Sequence, residues 1–434
     1  MSCPPLVVVG LDASAPERLV EQGRRGNMPV LGSLLERGSH ARLAGPEILG
    51  PHGSWLTIFS GKTPAEHGVY ASSLLVPGTY ETRRFDVVAS AVQPFWERLR
   101  GTGRRVAIVD APETQLVEGL EGFQLSGWGE HQPEGRPRSE PRDFVNEVDR
   151  RYGRSIRSSE GQRGRLWDRF VLKRLLQRVR RKGALICDLV VERGPFDLIV
   201  AVFGASHAAA HRFATWEGRD DRTAALALSI ELAIDEEIGR ILGVVGAPAD
   251  VAILSNVGIR NGYPTDALTR GFCEQLGYQR GPVESGESTV FCLPSKYTGF
   301  LRVNLRDREP RGEVERGSEY GLLLDKVEED LRALTWEGTR EPAVESILRT
   351  ATVLGDGPPD LIPDVVVEWG STERPLRAVH PRARIGGAPR GSPRGNHHSK
   401  TGLAILAGDG FEERGDLGTI RPVTLAERFL HLLR

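Results

Sequence analysis

Short apolar runs that suit buried strands alternate with helical patterns along most of the chain. Residues 6–9 are continuously apolar and lead through Gly10 and Leu11 to Asp12, which is typical of a buried parallel strand with a polar residue at its carboxyl end. Further strands are predicted at residues 106–109, 196–203, 251–254 and 403–406, and helices at residues 28–37, 55–60 and 226–242. This alternation predicts an α/β fold with a mostly parallel central sheet flanked by helices.

Two segments interrupt the alternation. Residues 130–182 are strongly charged and poor in apolar residues as far as Leu166, and we predict a helical lid insertion there. Residues 281–335 contain a predicted strand at 299–305 and a predicted helix from Tyr320, and we predict a small cap insertion. Residues 381–400 hold several Gly, Pro and Arg residues, which predicts a mobile loop. The whole chain, residues 1–434, is thus expected to form one large α/β domain with two insertions.

Charge and composition narrow the classes of partner. The 434 residues carry a formal net charge of −1, so no overall field favours nucleic acid or membrane surfaces, and an anionic ligand needs a local site. No apolar stretch approaches the ~20 residues that span a bilayer, and the amino terminus lacks the basic segment of a signal peptide. The four cysteines form no C-x-x-C pair. We therefore expect a cytoplasmic protein with reduced thiols, whose oligomeric state the sequence leaves open.

Asp12 is the first candidate for chemistry, because ligands gather at the carboxyl ends of the strands in open α/β sheets. A carboxylate in this place can bind a cation. The alternative is a structural role as a helix cap, since Ala13-Ser14-Ala15-Pro16 follows. The residue taken alone leaves both roles open.

Histidines flank two of the predicted strands. His207 and His211 follow the strand at residues 196–203 and are separated by three alanines. At this spacing on a helix the two imidazoles face the same side and can share one metal ion. His397 and His398 come shortly before the strand at residues 403–406 and can supply a further ligand from a distant part of the chain. A solvated loop is the alternative for this second pair.

The loop at residues 50–55 is a candidate anion site. Its sequence, Gly50-Pro51-His52-Gly53-Ser54-Trp55, runs into a predicted helix whose free backbone N–H groups can hold a phosphate. Lys62 follows at the end of this helix. The alternatives are that Ser54 is only a helix cap and Lys62 only a solvated side chain.

Several segments of the chain combine into a pattern that is more specific than any one of them. They are Val8-Val9-Gly10-Leu11-Asp12, Met28-Pro29-Val30-Leu31, Ser60-Gly61-Lys62-Thr63-Pro64 with His67-Gly68, Arg302-Val303-Asn304-Leu305 with Arg308-Glu309-Pro310, Asp360-Leu361-Ile362-Pro363-Asp364, and His398. In this order they resemble the type I phosphodiesterase/nucleotide pyrophosphatase branch of the alkaline phosphatase superfamily, over nearly the whole chain. The resemblance implies an alkaline phosphatase-like fold with two metal ions, often zinc, that clamp the attacking and leaving oxygens of a phosphoryl group.

The sequence departs from the pattern of this family in its metal site. Counted back from Gly61, the position of the Thr or Ser nucleophile falls on Pro51, which has no hydroxyl. The Ser-Asp-His-Gly motif that holds one metal reads Ser255-Asn256-Val257-Gly258. The Asp-x-x-x-His pair of the other site reads His207-x-x-x-His211, so that an imidazole replaces a carboxylate.

These departures affect the two implied metal sites unequally. His207, His211 and His398 remain as three imidazoles that suit one divalent transition metal, zinc first, with iron or manganese as alternatives. The other site keeps only Asp12 and the neutral Asn256, and we expect it to be empty.

Three functions compete on this basis. The first is a divergent single-metal enzyme, in which water activated by the metal replaces the missing nucleophile and Asp12 or His52 is the general base. Its substrate would be a small phosphate, phosphonate or sulfate ester, with Lys62, Arg212 and Asn256 as candidate contacts. The second is a catalytically inactive relative that binds a ligand or partner. The third is an ordinary phosphoesterase with Ser54 as a shifted nucleophile. The new histidine at position 207 favours the first, because decay would rarely place a metal ligand there.

Overall fold

The computed structural model of the chain describes residues 4–86, 92–130, 135–156, 165–213, 221–354, 357–370, 377–386 and 395–434. In these residues the strands, β1 to β20 in chain order, are Leu6–Leu11, Ser39–Leu43, Ser73–Leu75, Thr82–Arg84, Arg105–Val109, Glu121–Ser126, Arg138–Glu140, Leu198–Phe203, Asp250–Ser255, Ile259–Gly262, Val290–Leu293, Thr298–Val303, Thr335–Trp336, Val344–Arg349, Val365–Trp369, Ala378–His380, Ala383–Ile385, Gly395–His398, Gly402–Ala407 and Gly415–Ile420. The α-helices, α1 to α12, are Pro16–Arg24, Pro29–Arg37, Ser54–Ser60, Pro64–His67, Phe144–Tyr152, Arg165–Arg193, Ala205–Phe213, Asp221–Val245, Asp266–Gln275, Ser318–Arg332, Thr350–Val353 and Leu425–Leu432.

A nine-stranded sheet forms the centre of the fold, in the order β20-β2-β19-β9-β1-β8-β5-β6-β7. β1 pairs in parallel with both β8 and β9, and β8 pairs in parallel with β5, whereas β19 and β7 run antiparallel to their neighbours. The predicted α/β class with a mostly parallel central sheet flanked by helices is confirmed. The carboxyl ends of β1, β8 and β9 consequently meet at one edge of the sheet, where ligands of such folds bind.

Both faces of the sheet are covered, which explains why its central strands are continuously apolar. Along β1, Val7 and Val9 belong to the core cluster that includes residues of α6, α7 and α8. Leu6 and Val8 point to the opposite face, where they share a cluster with Trp55 and with residues of α12. The alternation of side chains along a strand therefore divides β1 between two cores.

The lid predicted at residues 130–182 differs from the structure. α6 is one continuous helix that passes beyond Lys182 and ends at Arg193. Its residues Val171, Leu175 and Val179 are buried in the same core cluster as Val7 and Val9 of β1. Charged residues of this helix such as Lys173 are exposed, whereas Arg178 and Lys182 are buried. Most of the second half of the segment is therefore part of the main core.

The cap is larger than the predicted residues 281–335. The strand and helix expected there are present as β12 and α10. β15, from later in the chain, pairs with both β12 and β14, and the cap core runs from Leu268 to Ile385. The insertion is wider because strands that follow residue 335 return to complete its sheets.

Buried ion pairs fix this cap, and they involve two of the motifs that carry the family resemblance. Arg308 pairs with Asp364 at 2.8 Å, and Arg302 pairs with Glu309 at 2.7 Å, all four side chains being at most 4% exposed. Tyr320 donates a further hydrogen bond to Asp364 at 2.8 Å. These motif residues therefore have a structural role in the cap.

The mobile loop predicted at residues 381–400 belongs in part to the described residues. Its two ends form β17 and β18, and β18 pairs antiparallel with β10, while residues 387–394 lie outside the described residues. Within the described ranges, no helix combines the length and the apolar character needed to cross a membrane.

Candidate active site

Three imidazoles converge at the carboxyl edge of the central sheet. His207 and His211 lie one turn apart on α7, which begins just after β8, and His398 ends β18. The Nε2 atom of His207 lies 3.0 Å from that of His211 and 3.2 Å from that of His398. Burial, and next the charge of its neighbour His211, lower the pKa of His207 well below its usual value, and burial acts in the same direction on His398. These two rings are therefore neutral near pH 7, each with a lone pair available for a metal.

The cluster fits one transition metal ion. Zinc–nitrogen bonds of about 2.0–2.1 Å in a tetrahedral site place neighbouring ligand atoms about 3.3 Å apart, close to the separations seen here. Within the described residues, His207, His211 and His398 form the one group of three His, Cys, Asp or Glu side chains whose ligand atoms lie close enough together, within 4.8 Å, to share an ion. Three imidazoles leave a fourth position for water or substrate.

Asp12 contacts one of these histidines. Its Oδ2 atom lies 2.8 Å from Nδ1 of His207, and its Oδ1 atom accepts a hydrogen bond from Nε1 of Trp55 at 2.9 Å. A carboxylate on Nδ1 keeps the proton there and leaves Nε2 free to bind a metal. This contact favours a place for Asp12 behind His207 over the direct metal ligation that the sequence suggested.

Gly10 makes room for this arrangement. A Cβ atom at position 10 would lie 2.6 Å from Cη2 of Trp55 and 2.9 Å from Val202, which is closer than side chains tolerate. The absence of a side chain in β1 lets the Trp55 indole lie against the strand and reach Asp12, two residues further along the chain.

The nucleophile side of the family site is closed by contacts within the protein. Ser54 is buried and donates its hydroxyl proton to the carbonyl oxygen of Pro51 at 2.6 Å. It also accepts a hydrogen bond from the amide nitrogen of Asn256 at 2.9 Å, while the Asn256 oxygen accepts one from Ala13 N at 3.0 Å. The hydroxyl of Ser54 is therefore engaged, which opposes the hypothesis of a shifted serine nucleophile.

The position of the second metal is apolar. Val257, which replaces the histidine of the family motif, is fully buried in a small cluster with Ala13 and Ile48. An alkyl side chain supplies no metal ligand, and the two buried side chains that share its cluster supply none either. That the second site is empty stays a prediction.

Glu113 occupies the anion site that we expected for a phosphate. Its carboxylate accepts backbone hydrogen bonds from Gly53 at 2.9 Å, Trp55 at 3.1 Å and Leu56 at 3.3 Å, at the start of α3. Burial raises its pKa to about 7. A phosphate on these N–H groups, as predicted from the sequence, would have to displace the Glu113 carboxylate. Sequence reasoning missed Glu113, although it follows the end of β5 much as Asp12 follows β1.

Two cavities meet at the histidines. The larger, of about 410 Å³, is bounded by Tyr70, Tyr297, Phe300 and the Lys400–Glu368 ion pair. The smaller, of about 190 Å³, extends on the side of Asp12 and Glu113. Both are lined by Pro51, His52, Ser72, His211 and His398. A substrate bound at the three imidazoles can therefore reach into either space.

The remaining predicted site residues are placed unequally. His52 lines both cavities, and Arg212 lines the larger one, where its guanidinium also binds Asp168 of α6 at 2.7 Å. Lys62 lies outside both linings; its side chain is 53% exposed and pairs with Glu66. The structure thus brings His52 and Arg212 to the site and leaves Lys62 on the surface. His397 points away, stacked on Tyr297.

The fold and the site define a class of protein. Residues 6–274 match the family model of the type I phosphodiesterase / nucleotide pyrophosphatase proteins. The chain belongs to this family, as its motifs predicted. Membership supports a phosphoester hydrolase-like function and gives no support to the non-catalytic alternative.

Solved structures of two named proteins are similar over almost their whole length. One is phosphonoacetate hydrolase from Sinorhizobium meliloti 1021 in complex with phosphonoformate, with a TM-score of 0.61, 15% identity, and coverage of 99% of this chain and 95% of that chain. Another is murine ectonucleotide pyrophosphatase / phosphodiesterase 5, an inactive variant in complex with AMP, with a TM-score of 0.57, 10% identity, and coverage of 99% and 95%. At these identities the likeness shows the fold alone. No curated protein sequence matches the chain.

Proposed function

We propose that this protein hydrolyses a small phosphate, phosphonate or sulfate ester with one divalent transition metal in place of the two of its family. The observation that carries the proposal is the convergence of three Nε2 atoms, from His207, His211 and His398, beside two cavities. Zinc is the proposed ion because neutral imidazoles in a tetrahedral arrangement suit it, and iron and manganese are the alternatives. We also propose a cytoplasmic location.

Each residue of the site has a part in this function. The three histidines would hold the ion, and Asp12 would keep His207 in the tautomer that binds it. When bound, the ion would polarise an ester oxygen and lower the pKa of nearby water. Burial lowers the pKa of His52, so its imidazole is neutral near pH 7 and can accept a proton from water.

The proposal makes water, and not a side chain, the attacking group. Pro51 has no hydroxyl, and the Ser54 hydroxyl donates to the Pro51 carbonyl oxygen. A phospho-enzyme intermediate therefore has no acceptor at either position. The structural neighbours bind phosphonoformate and AMP, which supports a small anionic substrate for this chain.

Metal content tests the centre of the proposal. We expect elemental analysis of the purified protein to give one transition metal ion per chain. His207→Ala should lose this ion, whereas His431→Ala, on α12 outside both cavity linings, should keep it. Two ions per chain, or none after incubation with zinc, would contradict the single-metal site.

Activity tests the reaction. We expect the metal-loaded protein to hydrolyse at least one class in a panel of phosphonate, phosphate and sulfate esters, releasing the alcohol together with the corresponding acid or, from a diester, the monoester, and His207→Ala to abolish that hydrolysis. Hydrolysis of generic aryl phosphate monoesters and diesters should be negligible, since losing one ion of the two-metal clamp costs several orders of magnitude in rate. Ordinary turnover of aryl esters that persists in His207→Ala would refute the proposal.

A further inference from the structure

Two arginines line the smaller cavity, and among the residues that the structure describes their side chains form no ion pair or hydrogen bond. Arg84 ends β4, and Arg138 begins β7, so they come from separate parts of the chain. Both line the cavity that contains Asp12 and Glu113. Within the described residues neither guanidinium has a recorded partner, whereas Arg212 in the larger cavity binds Asp168. Two uncommitted guanidinium groups that line one small space are well suited to bind an oxyanion.

The carboxylates that line the same cavity are already engaged. Asp12 accepts hydrogen bonds from Trp55 and contacts His207, and Glu113 accepts three backbone N–H groups. Glu130 accepts hydrogen bonds from Gly127 N at 2.6 Å and the Ser126 hydroxyl at 3.2 Å. Each of these acidic groups thus has hydrogen-bond donors other than the two arginines. The cationic groups are thus the ones left to meet a ligand.

The acidic groups of the cavity oppose an anion less than their number suggests. Burial raises the pKa of Glu113 and of Glu130 to about 7, so each carboxyl is about half protonated at pH 7. Together with Asp12 they then carry about two negative charges, which the two positive charges of Arg84 and Arg138 balance. The lining is therefore about neutral at pH 7 before a metal ion is added.

We propose that Arg84 and Arg138 bind an oxyanion group of the substrate in the smaller cavity, beside the three histidines. This inference deepens the proposed function. It rests on that function in one respect, namely that the bound anion is part of the substrate. The cavity of about 190 Å³ lies below the ~300–1,000 Å³ of pockets that enclose drug-sized ligands, so it suits a phosphate- or phosphonate-sized group. The organic remainder of the substrate lies in the larger cavity, against Tyr70 and Phe300.

Phosphate binding tests this site directly. Inorganic phosphate is titrated into the purified full-length protein and followed by calorimetry, with the metal present and after its removal by a chelator. We expect binding in both states, and a loss of about tenfold in affinity in Arg84→Gln and in Arg138→Gln, because each removes charge-assisted hydrogen bonds. Arg84→Lys should lose less phosphate affinity than Arg84→Gln, since lysine keeps the positive charge but lacks the paired N–H donors of the guanidinium group.

Arg83→Gln is the matched control. Arg83 precedes Arg84 on β4, is also exposed, and is absent from the cavity lining. It should leave phosphate affinity unchanged, and thermal unfolding should show that all variants fold, because neither cavity arginine has an ion pair to lose. Equal affinity in wild type, Arg84→Gln and Arg138→Gln would overturn the proposal, as would absence of phosphate binding by the wild type at millimolar concentrations.

The same titration separates this inference from the single-metal function. If the protein holds no metal but phosphate binding still depends on Arg84 and Arg138, the anion site stands and the single-metal function fails. If one ion is bound and phosphate binding disappears on chelation without any effect of either arginine variant, the metal alone binds the anion, and the arginine site is refuted.

Discussion

Replacing Asp12 by asparagine isolates the carboxylate that lies behind His207. Two N–H groups point at this carboxylate: Nε1 of Trp55, at 2.9 Å from Oδ1, and Nδ1 of His207, at 2.8 Å from Oδ2, whenever Nε2 of His207 is the metal-binding atom. Asparagine has nearly the same shape but only one oxygen. One of the two donors must then face an NH₂ group in a buried place, which costs roughly 1–3 kcal/mol.

This cost falls on the metal-bound state, because the metal fixes the tautomer with its proton on Nδ1. At about 1.4 kcal/mol for each factor of ten, Asp12→Asn should weaken zinc binding by about 5- to 150-fold, in line with the 10- to 100-fold typical of residues behind a metal ligand. Competition with a chromophoric chelator measures the affinity, with His207→Ala as the reference for loss of a ligand. Asp416→Asn, an exposed acidic residue outside both cavity linings, is the control. Unchanged zinc affinity in Asp12→Asn would refute the orienting role, and a loss as large as that of His207→Ala would indicate direct ligation.

Three further predictions concern the frame around the site. Gly10→Ala should lower the free energy of unfolding, measured with denaturant, by roughly 1–3 kcal/mol, because the new Cβ would lie 2.6 Å from Trp55. Gly243→Ala is the control and should be neutral or stabilising, since no atom lies within 4 Å of its new Cβ. Equal stability of the two variants would exclude the clash. Asp364→Asn should cost roughly 1–3 kcal/mol, because the buried Arg308 loses one of its two charge partners and keeps Glu309 at 2.9 Å, and a calorimetric unfolding profile like that of the wild type would contradict this. Thiol titration of denatured, unreduced protein should count all four cysteines, and a count of two or none would rule out the predicted reduced state.

The sequence predicted those parts of the fold and site that depend on local pattern. Strands such as β1 and β8 are buried on both faces, so their apolar runs are unambiguous, and the spacing of His207 and His211 is fixed by the helix itself. The lid was misjudged because charges on the outer side of α6 dominate its composition. Val171, Leu175 and Val179 recur at helical spacing there and indicate the buried face that this interpretation overlooked.

Roles that depend on contacts between distant segments could not be predicted in this way. Glu113 accepts hydrogen bonds from the backbone N–H groups at positions 53, 55 and 56. Every residue type except proline carries such a group, so the sequence gives no sign of this contact. The choice between ligand and orienting residue for Asp12 depends on which nitrogen of His207 faces it, which is a matter of tertiary placement. Arg84 and Arg138 line one cavity only because the end of β4 and the start of β7 both lie beside it.

The two halves of the family site have changed in a related way. On the nucleophile side, the polar groups that lost a ligand have found partners: both amide atoms of Asn256 are hydrogen-bonded, Ser54 has a donor and an acceptor, and Glu113 satisfies the N–H groups of α3. Relaxed selection would be expected to leave buried polar groups unsatisfied, which costs stability. On the other side, three imidazoles converge beside two open cavities. The nucleophile side is thus closed and its polar groups are hydrogen-bonded, whereas the histidine side is open and offers three metal ligands. A change from two-metal to one-metal chemistry requires this combination. The new His207 and the lost nucleophile are therefore better explained together than apart.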